Sequence, residues 1–576
     1  MTPTHRSGTR PVGWVLIGVA VVAWGAVGRL AWAFVSSDLT LRLVAENSRR
    51  DAPWAYRLAA LWGNAPGSLL LFAAIVTTVG YIGTRGLPMR GPALVASTGA
   101  VLTAVALVAG HPFQRLDAPA LRGFGLTPIL EHPAMAIHPP LLYLGLAATL
   151  PAWAHAVARG SSSVARRWLL TAMSVITLAM TLGAWWSYAE QGWGGYWAWD
   201  PVENGSLAPW LACVVVVHLR SRPAPRWTWG IAWCLALGGG AIARSGAVRS
   251  VHTFAEAPLV GWTLAGVALA AAIACGWRWS DPPPTSTSPG SAASLGSSAS
   301  LASLGSSASP GSSVSLASEA SLGSSASLAS PGSSAAISRW ARYPVILASA
   351  VGVVVVVGTV APLVAHWSGG RTLSIGGEFF ARLIAPLAVT AVAAFGVLAA
   401  SRSRRVVANA GWVSHAGFAV LVVGIIATTF DRSGTATLGD GESATIAGLT
   451  VRNDGVTVRP GRRDDTDEVA VTLNVAGHTM SPALTAYPER GGILAETALI
   501  SRPSRDIQAV LLDADDSGRA VVEIRSKPLV QFVWFGALLV AFGTLVASRG
   551  RSGRGSAPMI VSDRTPDAVE VSDHVQ

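Results

Sequence analysis

Twelve apolar stretches of near membrane-crossing length, parted by short polar turns, constrain this chain more than any other feature. They fall near 12–34, 67–84, 92–109, 139–157, 168–187, 205–219, 228–243, 259–276, 344–366, 377–400, 406–429 and 529–547. About 20 apolar residues cross the hydrocarbon core as a helix, and lipid tolerates only backbones that satisfy their own hydrogen bonds. The expected fold is therefore an all-α polytopic membrane protein with about 12 transmembrane helices. The net charge of +11 is carried by short arginine clusters between apolar runs, which act as topology signals; a nucleic-acid-binding face is excluded. The first run, Gly13 to Val27, has no small-residue cleavage site and reads as an anchor.

With the N-terminus inside, alternate loops carry Arg85 and Arg90; Arg159, Arg166 and Arg167; Arg220, Arg222 and Arg226; and Arg402, Arg404 and Arg405. Every short inside loop is then basic. The loop 35–66 runs against the trend with four arginines. This orientation places outside the membrane the tryptophan-rich stretch, the loops 110–138 and 244–258, and the segment 431–528. The expected organisation is a membrane core over 1–280 with a tryptophan-rich loop at 185–210, then a Ser/Ala/Gly-rich disordered cytoplasmic linker over 281–338, in which "SLGSSASLAS" occurs twice. Membrane helices follow over 339–430, a small β-rich extracytoplasmic domain over 431–528, a last helix over 529–548 and a cytoplasmic tail over 549–576. Runs such as "EVAVTLNVAG" between Gly and Asp turns carry the β expectation.

The stretch "WWSYAEQGWGGYWAWDPVENGSLAPWL", Trp185 to Leu211, packs five tryptophans and two tyrosines into its first fifteen residues. One or two would be interfacial anchors; five exceed a belt. Flat rings interleaved with glycines, which hold no side chain against a ligand's face, suit a broad planar molecule such as a porphyrin. In "DPVENGS", Asp200 caps a helix, Pro201 occupies its first turn and Glu203 sits at the reciprocal capping position. For these carboxylates, capping competes with direct chemistry.

Four of the eleven histidines stand out. His138 opens "HPPLLYLG" at the outer end of the fourth span, and His252 sits in the outer loop "ARSGAVRSVHTFAE". Two imidazoles beside an aromatic platform can supply both axial ligands of a haem iron. Arg244 and Arg249, near His252, offer guanidinium groups for haem propionates, with ordinary surface-loop arginines as the alternative. His218 and His415 fall inside apolar helices and are functional suspects for that reason. Counting about 1.5 Å per residue puts them at matching depths within about 5 Å, so both can ligate one buried haem b; helix-packing histidines are the bland alternative. Cys213, Cys234 and Cys275 each lie alone in an apolar run with no CxxC, so neither a dithiol centre nor a covalent haem site on this chain is expected.

The opening signature "WGGYWAWD", Trp193 to Asp200, together with "AIHPPLLYLG", "RSGAVRSVHTFAE", "YPERGGILAETALISRPSRDIQAVL" and "RSKPLVQFVWFGALLV", resembles the CcmF-type cytochrome c haem lyase family. The resemblance covers most of the chain. It departs at "LWGNAPGS" in the first outer loop and in the serine-rich insert. It implies a multi-pass protein of the bacterial cytoplasmic (inner) membrane, with its active site on the outer face, that ligates haem to the CxxCH cysteines of apocytochrome c. It implies that His138 and His252 bind the incoming haem, with Trp193, Trp197, Trp199 and Asp200 as its platform. His218 and His415 would ligate a resident haem b that reduces that haem, with quinol as candidate electron donor. No side chain is assigned as catalytic. Implied partners are apocytochrome c, a haem chaperone and a reductant of the apocytochrome thiols. The competing reading is a haem exporter or chaperone receptor that makes no bond.

Overall fold

A computed structural model describes residues 10–190, 195–219, 225–248, 250, 257–277, 342–368, 373, 375–400, 410–461, 466–488 and 492–550. The linker 281–338 and the tail beyond 550 lie outside these residues. Among the described residues, ten helices are long and apolar enough to cross a membrane. They are α1 (Arg10–Val35), α4 (Ala65–Gly83), α5 (Arg90–Val108), α6 (Pro133–Ala147) continued by α7 (Leu150–Val157), α8 (Ser162–Glu190), α11 (Pro258–Trp277), α12 (Tyr343–Trp367), α13 (Gly377–Ala400), α14 (Ala410–Thr428) and α15 (Val530–Arg549). The short helices α2 (Arg42–Asn47) and α3 (Trp54–Ala59) fold within the first loop.

The other two expected spans are helices that fall short of that test. α9 (Pro201–His218) starts with the polar residues Glu203, Asn204 and Ser206. α10 (Ile231–Ser245) has 15 residues, about 22 Å against a hydrocarbon core of about 30 Å. Both are packed inside the bundle, α9 against α8, α10 and α12, and α10 against α11. The α9–α10 crossing is close because both helices place glycine there: a Cβ on Gly239 would stand 2.5 Å from the Gly205 carbonyl oxygen.

The α6 helix also departs from expectation. It begins at Pro133, capped by His132, rather than at residue 139. Pro139 removes the amide that would bond the Met135 carbonyl, and the Trp62 indole N–H donates to that carbonyl instead at 3.0 Å. His138 thus sits in the second turn of the helix rather than at its opening.

Glycines seven residues apart bring α14 and α15 backbone to backbone. A Cβ on Gly417 would lie 2.6 Å from the Leu539 Cβ, one on Gly536 2.4 Å from the Leu421 nitrogen, and one on Gly543 2.5 Å from the Ser414 nitrogen. Small residues permit this approach where lipid supplies no hydrophobic drive between helices. α15 is in turn fixed to α8, where the Ser174 hydroxyl donates to the Ala541 carbonyl at 2.7 Å.

Between α14 and α15 the chain forms two antiparallel sheets. One has the order β1 (Arg432–Leu438), β10 (Ala520–Pro528), β9 (Arg505–Ala514), β8 (Ala498–Ser501). The other runs β2 (Ser443–Ile446), β3 (Leu449–Pro460), β4 (Asp467–Val475), β6 (Ala483–Tyr487), β7 (Gly492–Glu496), with β5 (His478–Met480) also paired to β4. Alternating apolar residues, such as Ala520, Val522 and Ile524 of β10, face one core with Val451, Val471 and Leu473. The expected β-rich region is present.

Candidate functional site

The tryptophan-rich loop is set by the first turn of α9. Asp200 and Glu203 form the expected capping box, with Pro201 in the first turn. Glu203 Oε2 accepts from the backbone N–H of Ala198 at 2.9 Å and of Asp200 at 3.1 Å, so it grips the chain on both sides of Trp199. That grip matters because Trp199 has φ 58°, a left-handed backbone that costs a bulky residue about 1–3 kcal/mol. Asn204 adds a bond from its Nδ2 to the Trp199 carbonyl at 3.1 Å and another to Thr359 on α12 at 3.0 Å.

The Trp199 ring is stacked on Phe380 of α13, 5.1 Å between centroids and 7° between planes, and Trp197 meets Trp199 edge to face at 6.1 Å. The Trp197 indole N–H is buried and finds no acceptor among the described residues. The Tyr196 hydroxyl bonds Thr428 at the end of α14 at 2.9 Å. Trp193 lies outside the described residues.

His138 packs against α8. Its Nδ1 is 2.8 Å from the Ala179 carbonyl, and its ring centroid is 6.5 Å from that of Trp186, in the helix that leads into the loop. Gly183 makes room: a Cβ there would stand 2.6 Å from His138 Cε1. Arg249 and His252 lie outside the described residues. Ser250, between them in sequence, donates to Asp200 Oδ1 at 2.9 Å, which ties this segment to the cap of α9. Asp200 therefore serves as a positioning group, 7% exposed. Arg244 is 8% exposed. Its Nη2 donates to Ser68 at 2.9 Å, its Nε has no acceptor, and it has no carboxylate partner among the described residues. A buried guanidinium without an anion is costly.

At the opposite end of α9, His218 and His415 come together with ring centroids 5.7 Å apart and planes at 83°. Each Nδ1 faces the carbonyl four residues back in its own helix, Val214 at 2.8 Å and Gly411 at 2.6 Å. Those bonds place the proton on Nδ1 and the lone pair on Nε2. Phe395 stacks on His415 at 5.4 Å and 16°. The pair is deeper than expected, because α9 begins at Pro201 and His218 is its last residue.

Three further contacts join distant segments. Tyr188, near the end of α8, donates to Asp506 of β9 at 3.2 Å, and Gln531 of α15 and Ser501 also donate to this carboxylate. Burial, opposed by these donors, holds the Asp506 carboxyl above its ordinary range. His132, expected to need no account, is paired with Glu190 at 3.7 Å and with the Trp185 ring at 4.9 Å. Cys234 and Cys275, expected to lie alone, are brought together by the packing of α10 on α11: a Cβ on Gly230, one turn before Cys234, would stand 2.3 Å from Cys275 Sγ.

Residues 62–238 match the family described as Cytochrome C assembly protein. The chain is 29% identical to the probable cytochrome c-type biogenesis protein NrfE of Escherichia coli, over 91% of this chain and 93% of that one. It is 29% identical to CycK of Bradyrhizobium diazoefficiens, over 94% and 91%, and 28% identical to CcmF of Pseudomonas aeruginosa, over 95% and 91%. Over nearly its whole length the chain is similar to cytochrome c-type biogenesis proteins of the CcmF type. A solved structure named Cytochrome c Heme Lyase CcmF shares the fold, with TM-score 0.65 and 21% identity over 93% of this chain and 95% of that one.

Three residues that hold the loop, Phe380, Asn204 and Ser250, were not singled out from the sequence. Phe380 and Ser250 reach the loop from remote stretches that carry no local mark of the contact. Asn204 had a signal, as the residue after the cap motif on the face toward Trp199.

Proposed function

We propose that the chain attaches haem to the cysteines of a CxxCH segment in apocytochrome c, at the end of the bundle bearing the tryptophan-rich loop. One observation carries this reading: a clamped aromatic platform, a buried indole N–H without an acceptor and a buried arginine without a carboxylate belong to one tied assembly. Arg244 and Asp200 both lie about 7 Å beyond the Gly205–Gly239 crossing toward that end. Haem as substrate would lie against Trp197 and Trp199 with Arg244 and Arg249 at its propionates, and His138 and His252 at its iron. That end faces outside the cytoplasmic membrane.

The reaction adds each substrate thiol across a haem vinyl: a C–S bond forms, the thiol hydrogen goes to the neighbouring vinyl carbon, and no net electrons move. The residues here bind and orient, so that two reactants meet in one geometry. His218 and His415 would hold a resident haem b through Nε2, each imidazole fixed by its Nδ1 bond. When bound, that haem b supplies electrons that keep the incoming iron ferrous, with quinol as their source. A haem chaperone delivers the porphyrin, and a separate reductant keeps the substrate thiols open.

The test is covalent haem on a co-expressed CxxCH reporter. Trp199→Ala and His138→Ala should each cut haem-stained reporter at least tenfold while the protein still accumulates in the membrane. Undiminished staining in both variants contradicts the proposal.

A further inference from the structure

The two cysteines brought together in the fold have no part in the chemistry above. α10 and α11 are packed neighbours joined by the segment between Ser245 and Pro258. Cys234 is the fourth residue of α10 and Cys275 the third from the end of α11, so both sit at the hairpin ends far from that connection. A Cβ on Gly230, one turn before Cys234, would stand 2.3 Å from Cys275 Sγ. Helical side chains lean toward the N-terminus, so the Cys234 thiol points to the place that the Cys275 sulfur occupies. Cys275 is 7% exposed and Cys234 is the more open of the two, while Cys213 is fully buried on α9.

We propose that Cys234 and Cys275 are a reversible disulfide site that staples α10 to α11 at the end opposite the tryptophan-rich loop, with a low-molecular-weight disulfide such as oxidised glutathione as the oxidant. The more open Cys234, as thiolate, attacks the glutathione disulfide; its S–S bond breaks, one glutathione thiolate leaves, and a mixed disulfide forms. Cys275, as thiolate, then attacks the Cys234 sulfur and expels the second glutathione thiolate. Two protons pass from the protein thiols to the two glutathione thiols, and two electrons with them. The staple tethers the hairpin that presents Arg244 at its other end, which couples thiol redox state to the haem-handling segment without changing any residue there.

The experiment uses the full chain with Cys213→Ala, in detergent, treated with oxidised glutathione, then denatured and alkylated. Alkylatable thiols should fall from two to none, a Cys234–Cys275 cross-linked peptide should appear by mass spectrometry, and dithiothreitol should restore both thiols. Cys275→Ser should instead stop with glutathione retained on Cys234. The proposal is overturned if both thiols still alkylate, if glutathione stays on Cys234 while Cys275 is intact, or if the link joins two chains.

Discussion

Removing the Glu203 carboxylate tests whether the aromatic platform is held ready or merely encloses whatever ligand arrives. Glu203 Oε2 takes the N–H groups of Ala198 and Asp200 at 2.9 and 3.1 Å, and the residue between them, Trp199, is in a left-handed conformation. Hydrogen bonds to a charged acceptor contribute about 1.5–3 kcal/mol each when buried, and a lost cap costs about 1 kcal/mol. The loop is half-buried, so the lower end applies, about 2–3 kcal/mol for Glu203→Ala. At 1.4 kcal/mol per tenfold, that is about a 30- to 150-fold rise in the open population of the loop. Hydrogen exchange at the amides of Ala198 and Asp200 reads it directly. Glu203→Gln keeps one carbonyl oxygen and should accelerate exchange by less than about tenfold. Haem retained by the purified variants should fall in the same order. If Glu203→Ala leaves both amides as protected as in the parent protein, the clamp is not what holds Trp199 and the argument for a preorganised platform fails.

Two other perturbations address separate parts of the assembly. Gly183→Ala places a methyl 2.6 Å from the His138 ring, so it should break the 2.8 Å bond to Ala179 and lower haem capture at the loop end, measured by titration, while leaving any resident haem b spectrum unchanged; loss of both would contradict the separation of the sites. Because burial raises the Asp506 carboxyl, the folded protein holds this proton more tightly than the unfolded chain does. Its contribution to stability is full below the ordinary carboxylate value of about 4 and is lost as pH rises through the raised value. Thermal unfolding of the parent minus that of Asp506→Asn should therefore decline over that interval, and a rise would refute the assignment.

How much of this could be read from the chain depends on sequence distance. The Asp200–Glu203 capping box was legible because it acts across three residues, and the β-rich region because alternation and turns are local. The His218–His415 pairing was legible from depth alone, even though α9 starts four residues earlier than hydropathy suggests, because the error moved the site along the helix without separating the pair. The α9 and α10 helices counted as spans because the apolar runs 205–219 and 228–243 are scored apart from the polar first turn of α9 that precedes one and together with the short turn before Ile231 that opens the other. Phe380 meets Trp199 across 181 residues, and nothing local encodes that. The cysteine pair was within reach: two helices joined by one loop are neighbours, and residues at their far ends meet. Counting positions from the loop, rather than searching for CxxC, would have found it.

On the function proposed above, the chain holds two haems in distinct places, one as cofactor and one as substrate. Absorption spectra and haem staining of the purified parent beside alanine variants of His138, His218, His252 and His415 test it most directly. The account predicts that His218→Ala and His415→Ala each abolish the resident bis-imidazole spectrum yet still take up supplied haem, and that His138→Ala and His252→Ala do the reverse. Retention of the resident spectrum by both His218→Ala and His415→Ala, or loss of a single common haem population in all four variants, would contradict it.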